Sequence, residues 1–313
     1  MQSPIALFIY NRPDCVKQAL DKLSLVDFYK LYIFSDGPRD SKDLDLCDKC
    51  VEVVKSHKIY KEKSCILIKN EKNKGMVNQI CYGLDFVFAN HESLIYLQDD
   101  QEINSSSYSF CNELLDIYKN NNEIGHINLS NLMPKYTRDH ATSYFFSHFI
   151  SVWGFGTWRR VWNSYDPQMK EWNLLNKQNF LKKYFTNKKQ RVSVKKMYDL
   201  HCFNDDPWTW DYQWEFNCLN NAPISITPTV NLCRDIGFNR EDSTHNKGIN
   251  PFDYPLQEIS LPLVHPKNIT VDHLYLKTIN KIICPSNISI MMGKLLNNLK
   301  KLIFDIAEYF KNT

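Results

Sequence analysis

An α/β fold with a mostly parallel sheet is what this sequence predicts, and two observations carry the prediction. The first hundred residues alternate short, continuous apolar runs with segments of helical period. Continuous runs are what strands covered on both faces look like, and strand–helix alternation produces parallel crossovers with helices on both sides. Ile5-Ala-Leu-Phe-Ile-Tyr10 is the first such run. Pro13 then stands where a helix can begin, and Val16, Leu20 and Leu23 recur at helical spacing. Leu31-Tyr-Ile-Phe34 is the second strand and ends in Ser35-Asp36-Gly37-Pro38. Leu44 to Lys55 reads helical, Cys65-Ile-Leu-Ile68 is a third strand, and Asn73-Lys-Gly75 is a turn before helical Ile80 to Phe88. Leu94-Ile-Tyr-Leu97 is the fourth strand. No GxGxxG or Walker loop follows any of them, and the chain has only nine glycines, so a glycine-loop mode of phosphate binding is disfavoured.

The fourth strand ends in Gln98-Asp99-Asp100, followed by Gln101-Glu102-Ile103 and the polar turn Asn104 to Ser107. Two carboxylates at the carboxyl edge of an open α/β sheet sit where such sheets bind ligands. They repel and titrate upward unless a cation joins them. Mg²⁺-type ions take one or two carboxylates plus phosphate oxygens, so a metal carrying a diphosphate suits the pair. The dipeptide by itself is equally compatible with a solvated turn.

Composition bounds the rest. A chain of 313 residues, 43% apolar and 13% aromatic, suits one large domain or two intimately joined ones with a sizeable core. A formal net charge of +3 gives no argument for nucleic acid. Met1-Gln-Ser-Pro4 runs straight into a strand with no charged-apolar-small leader, and no run of eighteen apolar residues exists. The expectation is a cytoplasmic protein with its ten cysteines reduced. Cys47-Asp-Lys-Cys50 is a lone CxxC in a helical stretch, so a structural zinc site is not expected.

The second half is aromatic and less regular. Ser151 to Trp162 reads as a glycine-punctuated turn entering an amphipathic helix, with Trp153, Trp158 and Trp162 mostly in the core. Lys177 to Lys189 reads as a basic exposed helix, Pro207 to Phe216 as the start of another, and Ile224–Ile226 and Thr229–Val230 as short strands. Asp205-Asp206 before Pro207 is most simply a helix cap. Asp235 to Gly248 is a long polar loop, a length that often marks a functional lid. From Ile290 to Phe310 one apolar stripe is flanked by Lys294, Lys300, Lys301 and Lys311. That helix can pack on the body or a second subunit, or lie on an anionic membrane from the inner face.

The order of Phe8-Ile-Tyr-Asn-Arg-Pro13, Ser35-Asp-Gly37, Asn73-Lys-Gly-Met-Val-Asn78, Gln98-Asp-Asp100, Trp153-Gly-Phe155, Trp210-Asp-Tyr212 and Ile236-Gly-Phe238 resembles bacterial nucleotide-diphospho-sugar transferases of surface-polysaccharide assembly. These in turn resemble the N-acetylglucosaminyltransferase I family of GT-A glycosyltransferases. The similarity spans roughly Pro4 to Gly248. It implies a GT-A, Rossmann-like architecture, with residues 1–130 as the nucleotide-sugar half, 131–275 as the acceptor and catalytic half, and 276–313 as a helical extension. It implies that Arg12 and Asp36 line the uridine pocket, with Asn73 and Asn78 close by. Gln98 matches a Glu that holds donor-sugar hydroxyls, Asp99 a residue near the ribose, and Asp100 the single protein ligand of Mn²⁺ (or Mg²⁺). Trp153 and Gly154 match the acceptor-side turn, Asp211 the general base, and Gly237 to His245 a segment that closes over the diphosphate. Gln98 departs from the pattern, since an amide lacks the charge-assisted bond of the carboxylate.

Trp208, Trp210, Tyr212 and Trp214 would partly desolvate Asp211, while a helix cap or a surface ion pair is its plain alternative. Glu215, one turn on, is a reserve base, and Arg234, Arg240, His245 and Lys247 are candidate diphosphate clamps, a solvated loop histidine being as good a reading of His245. The expectation is therefore a metal-dependent inverting glycosyltransferase, with a UDP-sugar donor such as a UDP-N-acetylhexosamine and a bacterial glycan acceptor that could be lipid-linked. A non-catalytic nucleotide-sugar or glycan binder on the same scaffold and a retaining transferase are the alternatives.

Overall fold

The apolar runs become the centre of one sheet. In the computed structural model, which describes residues 2–137, 141–204, 208–238, 240 and 252–283, strand β1 (Ile5–Ile9) is buried at every position. Helix α1 (Pro13–Ser24) follows with Pro13 at its first turn and Val16, Leu20 and Leu23 buried, as the helical spacing predicts. β2 (Leu31–Ser35) leads into α2 (Ser41–Ser56), which starts earlier than the apolar pattern suggests because Asp40 caps it by accepting from the Lys42 and Asp43 amides. Cys47 and Cys50 are buried on the inner face of α2 as free thiols. A short helix α3 (Lys58–Glu62), β3 (Cys65–Lys69), α4 (Met76–Phe88) and β4 (Ser93–Gln98) complete the first half.

A two-residue strand β5 (Gln101–Glu102) follows β4, and α5 (Ser105–Ile117) opens with a capping box between Asn104 and Ser107. Next come β6 (Ile124–Asn128), α6 (Pro134–Thr137) and β7 (Tyr144–Ser147). Ser151 to Trp162 departs from expectation. Phe155–Trp158 forms strand β8, and the helix after it, α7 (Arg159–Trp162), is a single turn. Gly156 is a poor strand residue, but the slot between β4 and β6 supplies hydrogen bonds on both sides, and tertiary pairing overrides weak local preference. The expected helix over Lys177 to Lys189 is broken into α8 (Trp172–Lys177), α9 (Phe180–Tyr184) and the start of α10 (Lys188–His201), with Asn179 left-handed at φ 60° and Asn187 capping α10. α11 (Asp211–Asn221) precedes β9 (Ile224–Pro228), which ends before Thr229 and Val230, so these form no strand of their own. β10 (Arg234–Asp235) and α12 (His273–Ile283) complete the described elements.

The sheet order is β3-β2-β1-β4-β8-β6-β9-β7, with β8 and β7 antiparallel to their neighbours and the remaining pairs parallel. This is the mostly parallel α/β sheet flanked by helices that the sequence predicts. It runs through both halves of the chain. One face carries a row of rings crossing five strands: Phe34 on Phe8, Phe8 on Tyr96, Tyr96 on Phe155 and Phe155 on His126, at centroid distances of 5.1, 5.2, 4.7 and 4.6 Å. Trp210 and Trp214 cover that row and are buried, so α11 is clamped onto the sheet by its own aromatic side chains. A second apolar cluster, including Trp172, Phe180, Tyr198 and Phe216, joins α8 to α11. Among the described residues no helix is long and apolar enough to cross a membrane. The basic stripe from Ile290 to Phe310 lies outside the described residues.

Candidate active site

The carboxyl ends of β1, β2 and β4 converge, and backbone hydrogen bonds lock them together. The Asp36 amide donates to the Ile9 carbonyl at 3.2 Å, and the Asp99 amide to the Phe8 carbonyl at 3.0 Å. Above these ends opens a cleft of about 500 Å³. Its lining includes Arg12, Asp36, Asn73, Gln98, Asp99, Asp100 and Gly237, so seven of the residues the resemblance points to share one concavity. The position is where open α/β sheets take ligands.

Asp99 and Asp100 differ in surroundings. Asp99 is buried, and its Oδ2 accepts from the Tyr10 amide at 3.3 Å. Burial and the neighbouring Asp100 charge push its pKa well above the usual carboxylate range, against the pull of Arg12. Asp100 is also pushed up by burial, opposed chiefly by Arg12, whose Nη1 donates to Oδ2 at 2.9 Å. A third acid joins them, one the sequence reading gave no role. β10 pairs antiparallel with β5, setting Asp235 opposite Gln101. Burial and the Asp100 charge raise Asp235, whose Oδ1 accepts from the Gly237 amide at 2.7 Å. No motif announces this: the pairing is two residues long and becomes visible only once β4 has turned.

Gly237 touches Asp100 directly. A Cβ there would lie 2.3 Å from Asp100 Oδ2, so only glycine leaves that carboxylate room. The Ile236 amide donates to the Asp100 carbonyl at 2.8 Å, fixing the approach.

The Asp36 end of the cleft is densely hydrogen-bonded. Asp36 accepts from the Lys74 amide at 2.9 Å, Asn73 Nδ2 at 3.0 Å and Asn70 Nδ2 at 3.3 Å. Asn73 also donates to the Gly37 carbonyl at 2.8 Å. Much of the acceptor capacity of Asp36 thus holds the loop after β3 in place. The neighbouring wall is braced by Asp43, which accepts from Tyr10 Oη (2.6 Å), Asn11 Nδ2 (2.9 Å) and Arg39 Nε (2.5 Å). Arg39 first, then these bonds, hold its carboxyl far below the usual range. Neither Asp43 nor Arg39 was legible as part of a site, because the bracing spans a strand end and a helix start.

Other candidates fall outside this lining. Asn78 is exposed, its Nδ2 donating to the Lys74 carbonyl at 3.0 Å. Trp153 packs edge-on against Phe238 and Phe252. Gly154, at φ 65°, receives the Leu129 amide at its carbonyl. Asp211 opens α11, its carboxylate accepting from Thr209 Oγ1 and from the Tyr212 amide at 3.0 Å. Its aromatic neighbours divide: Trp208 is half exposed and lines the cleft, whereas Trp210 and Trp214 face the core. The buried Tyr96 ring feels the charges of both Asp100 and Asp211. Glu215 instead lines a separate cavity of about 120 Å³ beside α10, where Tyr198 Oη donates to it at 2.8 Å.

Arg240 makes a two-pronged contact with Asp14 on α1 (2.7 and 3.1 Å) and still lowers the pKa of both Asp99 and Asp100. Arg234 Nε donates to Asp253 at 3.2 Å. His245, Lys247, Asp205 and Asp206 lie outside the described residues.

The donor set suits a hard divalent cation that arrives with phosphate. Among the described residues no three His, Cys, Asp or Glu side chains gather as a closed cage. A Mg²⁺- or Mn²⁺-type ion needs only one or two carboxylates when phosphate oxygens and water fill its other positions. The Asp100 carboxylate is an oxygen donor of that kind, though the Arg12 guanidinium already lies against its Oδ2.

No protein-family model and no curated protein matches this chain. Among solved structures it is similar to a mannosyltransferase from Pyrobaculum calidifontis in complex with GDP-Man and Mn²⁺, at 9% identity and a TM-score of 0.37, over 52% of this chain and 46% of that one. It is also similar to a putative glucose-1-phosphate thymidylyltransferase from Bacillus anthracis in complex with a sucrose (11% identity, TM-score 0.32, 51% and 74%). A third is the bifunctional glycosyltransferase WbbM without ligand (10% identity, TM-score 0.30, 52% and 34%). The chain covers less than half the length of the first and third of these. The likeness extends to part of the fold and assigns no residue.

Proposed function

We propose that this chain transfers a sugar from a nucleotide donor, a UDP-sugar such as a UDP-N-acetylhexosamine, to a hydroxyl of a bacterial surface glycan, with inversion and with a divalent metal. The observation that carries the reading is the convergence of Asp36, Asp99, Asp100 and Arg12 on one cleft at the carboxyl ends of three parallel strands. Asp36 and Asn73 form a stiff floor for the nucleoside. Asp100 is the residue that would hold Mn²⁺ or Mg²⁺, which when bound supplies counter-charge to the leaving diphosphate. Asp99, pushed toward its protonated form, can donate to a ribose hydroxyl or accept from one. Gln98 presents an amide to the donor sugar. Trp208 offers a half-exposed ring at the cleft edge on which a sugar face can stack. Asp211, three residues on, is the carboxylate we assign to take the acceptor proton, a role typically worth about 10²–10⁴-fold.

The test is thermal shift with UDP, GDP and CDP, each with Mn²⁺ and with EDTA. Ligands that bind the native state raise the midpoint. A rise for UDP that requires Mn²⁺ and is lost in Asp100→Ala supports the reading. Absence of any metal-dependent rise removes it. Turnover of a UDP-sugar separates a transferase from a binder, and the anomeric coupling of the product separates inversion from retention.

A further inference from the structure

Arg12 stands where the metal reading needs a cation. It is the N-cap residue of α1, where a guanidinium, having no acceptor, can make no capping bond. The guanidinium crosses instead to Asp100, 2.9 Å from Oδ2, and the two side chains are only 20% and 14% exposed. A contact this sheltered is no ordinary surface pair, which would contribute little. Oδ2 is also the oxygen that a Cβ at residue 237 would meet at 2.3 Å. A dication coordinated by this carboxylate would therefore meet a fixed positive charge within bonding distance of the same oxygen.

We infer that Arg12 is the resident counter-cation of Asp100, that it and a divalent metal exclude each other there, and that a nucleoside diphosphate resolves the conflict by giving the guanidinium a phosphate partner. This rests on the metal reading of Asp100. A bare dication must displace Arg12 from the Asp100 carboxylate. A metal–diphosphate complex brings its own negative oxygens, and a guanidinium binds phosphate with the same two-pronged geometry it uses on carboxylate. Arg240, which also acts on these acids, is engaged with Asp14. Metal and nucleotide then bind as a coupled pair, each raising the affinity of the other by the same factor. Arg12 thus passes from a carboxylate in the empty cleft to the leaving group in the loaded one.

The experiment is Mn²⁺ titration followed by electron paramagnetic resonance of the free ion, on wild type, Arg12→Ala and Arg12→Met, without nucleotide and with UDP, GDP or CDP. Without nucleotide the two variants should bind Mn²⁺ at least roughly tenfold more tightly than wild type, since a neighbouring opposite charge shifts a carboxylate by about one to three decades. In wild type the effective nucleotide should raise Mn²⁺ affinity, and that enhancement should shrink in both variants. Arg12→Met keeps an apolar stem in place and decides the matter should Arg12→Ala lose its native circular dichroism. If the variants bind no more tightly than wild type while wild type takes up Mn²⁺ with a nucleotide, Arg12 is no competitor and the inference falls while the metal reading stands. If no protein takes up Mn²⁺ with any nucleotide, the metal reading fails and the inference with it.

Discussion

Gly237→Ala is the sharpest perturbation of the proposed metal site, because it adds one carbon and removes nothing. The new Cβ would lie 2.3 Å from Asp100 Oδ2, whereas ordinary contact begins near 3.4 Å. The carboxylate must therefore retreat by about 1 Å, and a metal site tolerates ligand distances only within about 0.2 Å. Displacement of a positioning group by about 1 Å costs on the order of 10²-fold. Because the group that must move is the end of a flexible side chain, the fold itself should lose under about 1 kcal/mol. The assay is Mn²⁺-dependent UDP affinity by calorimetry beside a urea melt of the same sample. We expect affinity to fall roughly a hundredfold with the melt nearly unchanged. Wild-type affinity in Gly237→Ala would refute the assignment of Asp100 as metal ligand. A collapsed melt would show instead that Gly237 serves the fold.

Three further outcomes follow from the same geometry. Asp211→Asn should keep UDP–Mn²⁺ affinity within about twofold and lower turnover by about 10²–10⁴-fold; equal loss of both in a binding and turnover assay would make it a structural cap of α11. Asp36→Ala should lower unfolding free energy in denaturant by about 1–3 kcal/mol and weaken UDP binding, because the Lys74 amide and the Asn73 amide group lose their acceptor; unchanged stability would mean the loop after β3 is held by other contacts. Burial raises Glu215 from 4.5 to about 7, so between those values the folded protein holds a proton that the unfolded chain has released, and stability falls as pH rises. Glu215→Gln should flatten that slope, gaining roughly 1–2 kcal/mol above pH 7 after allowance for solvent in the adjoining cavity and almost nothing near pH 4.5, as read by denaturant melts across pH.

The strands of the first half were legible because each is a continuous apolar run that the sheet buries on both faces. The Asp pair was legible because it follows such a run. What escaped the sequence depends on partners distant along the chain. Asp235 enters the site only because two residues of β10 pair with two of β5, a signal too short for any periodicity. β8 reads as a turn in the sequence because Gly154 and Gly156 punctuate it, and only pairing with β4 and β6 on both sides makes it a strand. The bracing of Tyr10, Asn11 and Arg39 by Asp43 likewise needs a strand end and a helix face brought together.

The same distinction explains why Arg12 reads differently in sequence and in space. Beside Pro13 it looks like one member of a loop motif, and resemblance places it by the nucleoside. In the fold, the turn after β4 delivers Asp100 to its guanidinium. Asp99, Asp100 and Asp235 are each raised by burial, and Asp99 and Asp235 are raised further by the Asp100 charge. Such an arrangement is strained toward protonation unless positive charge arrives, and Arg12 supplies one charge where a dication would supply two. The acidic edge is thus partly neutralised rather than satisfied. A bare dication would answer that imbalance but must compete with Arg12, whereas a metal–diphosphate complex adds phosphate oxygens for the guanidinium, which is the reason to expect the complex as the ligand of the cleft.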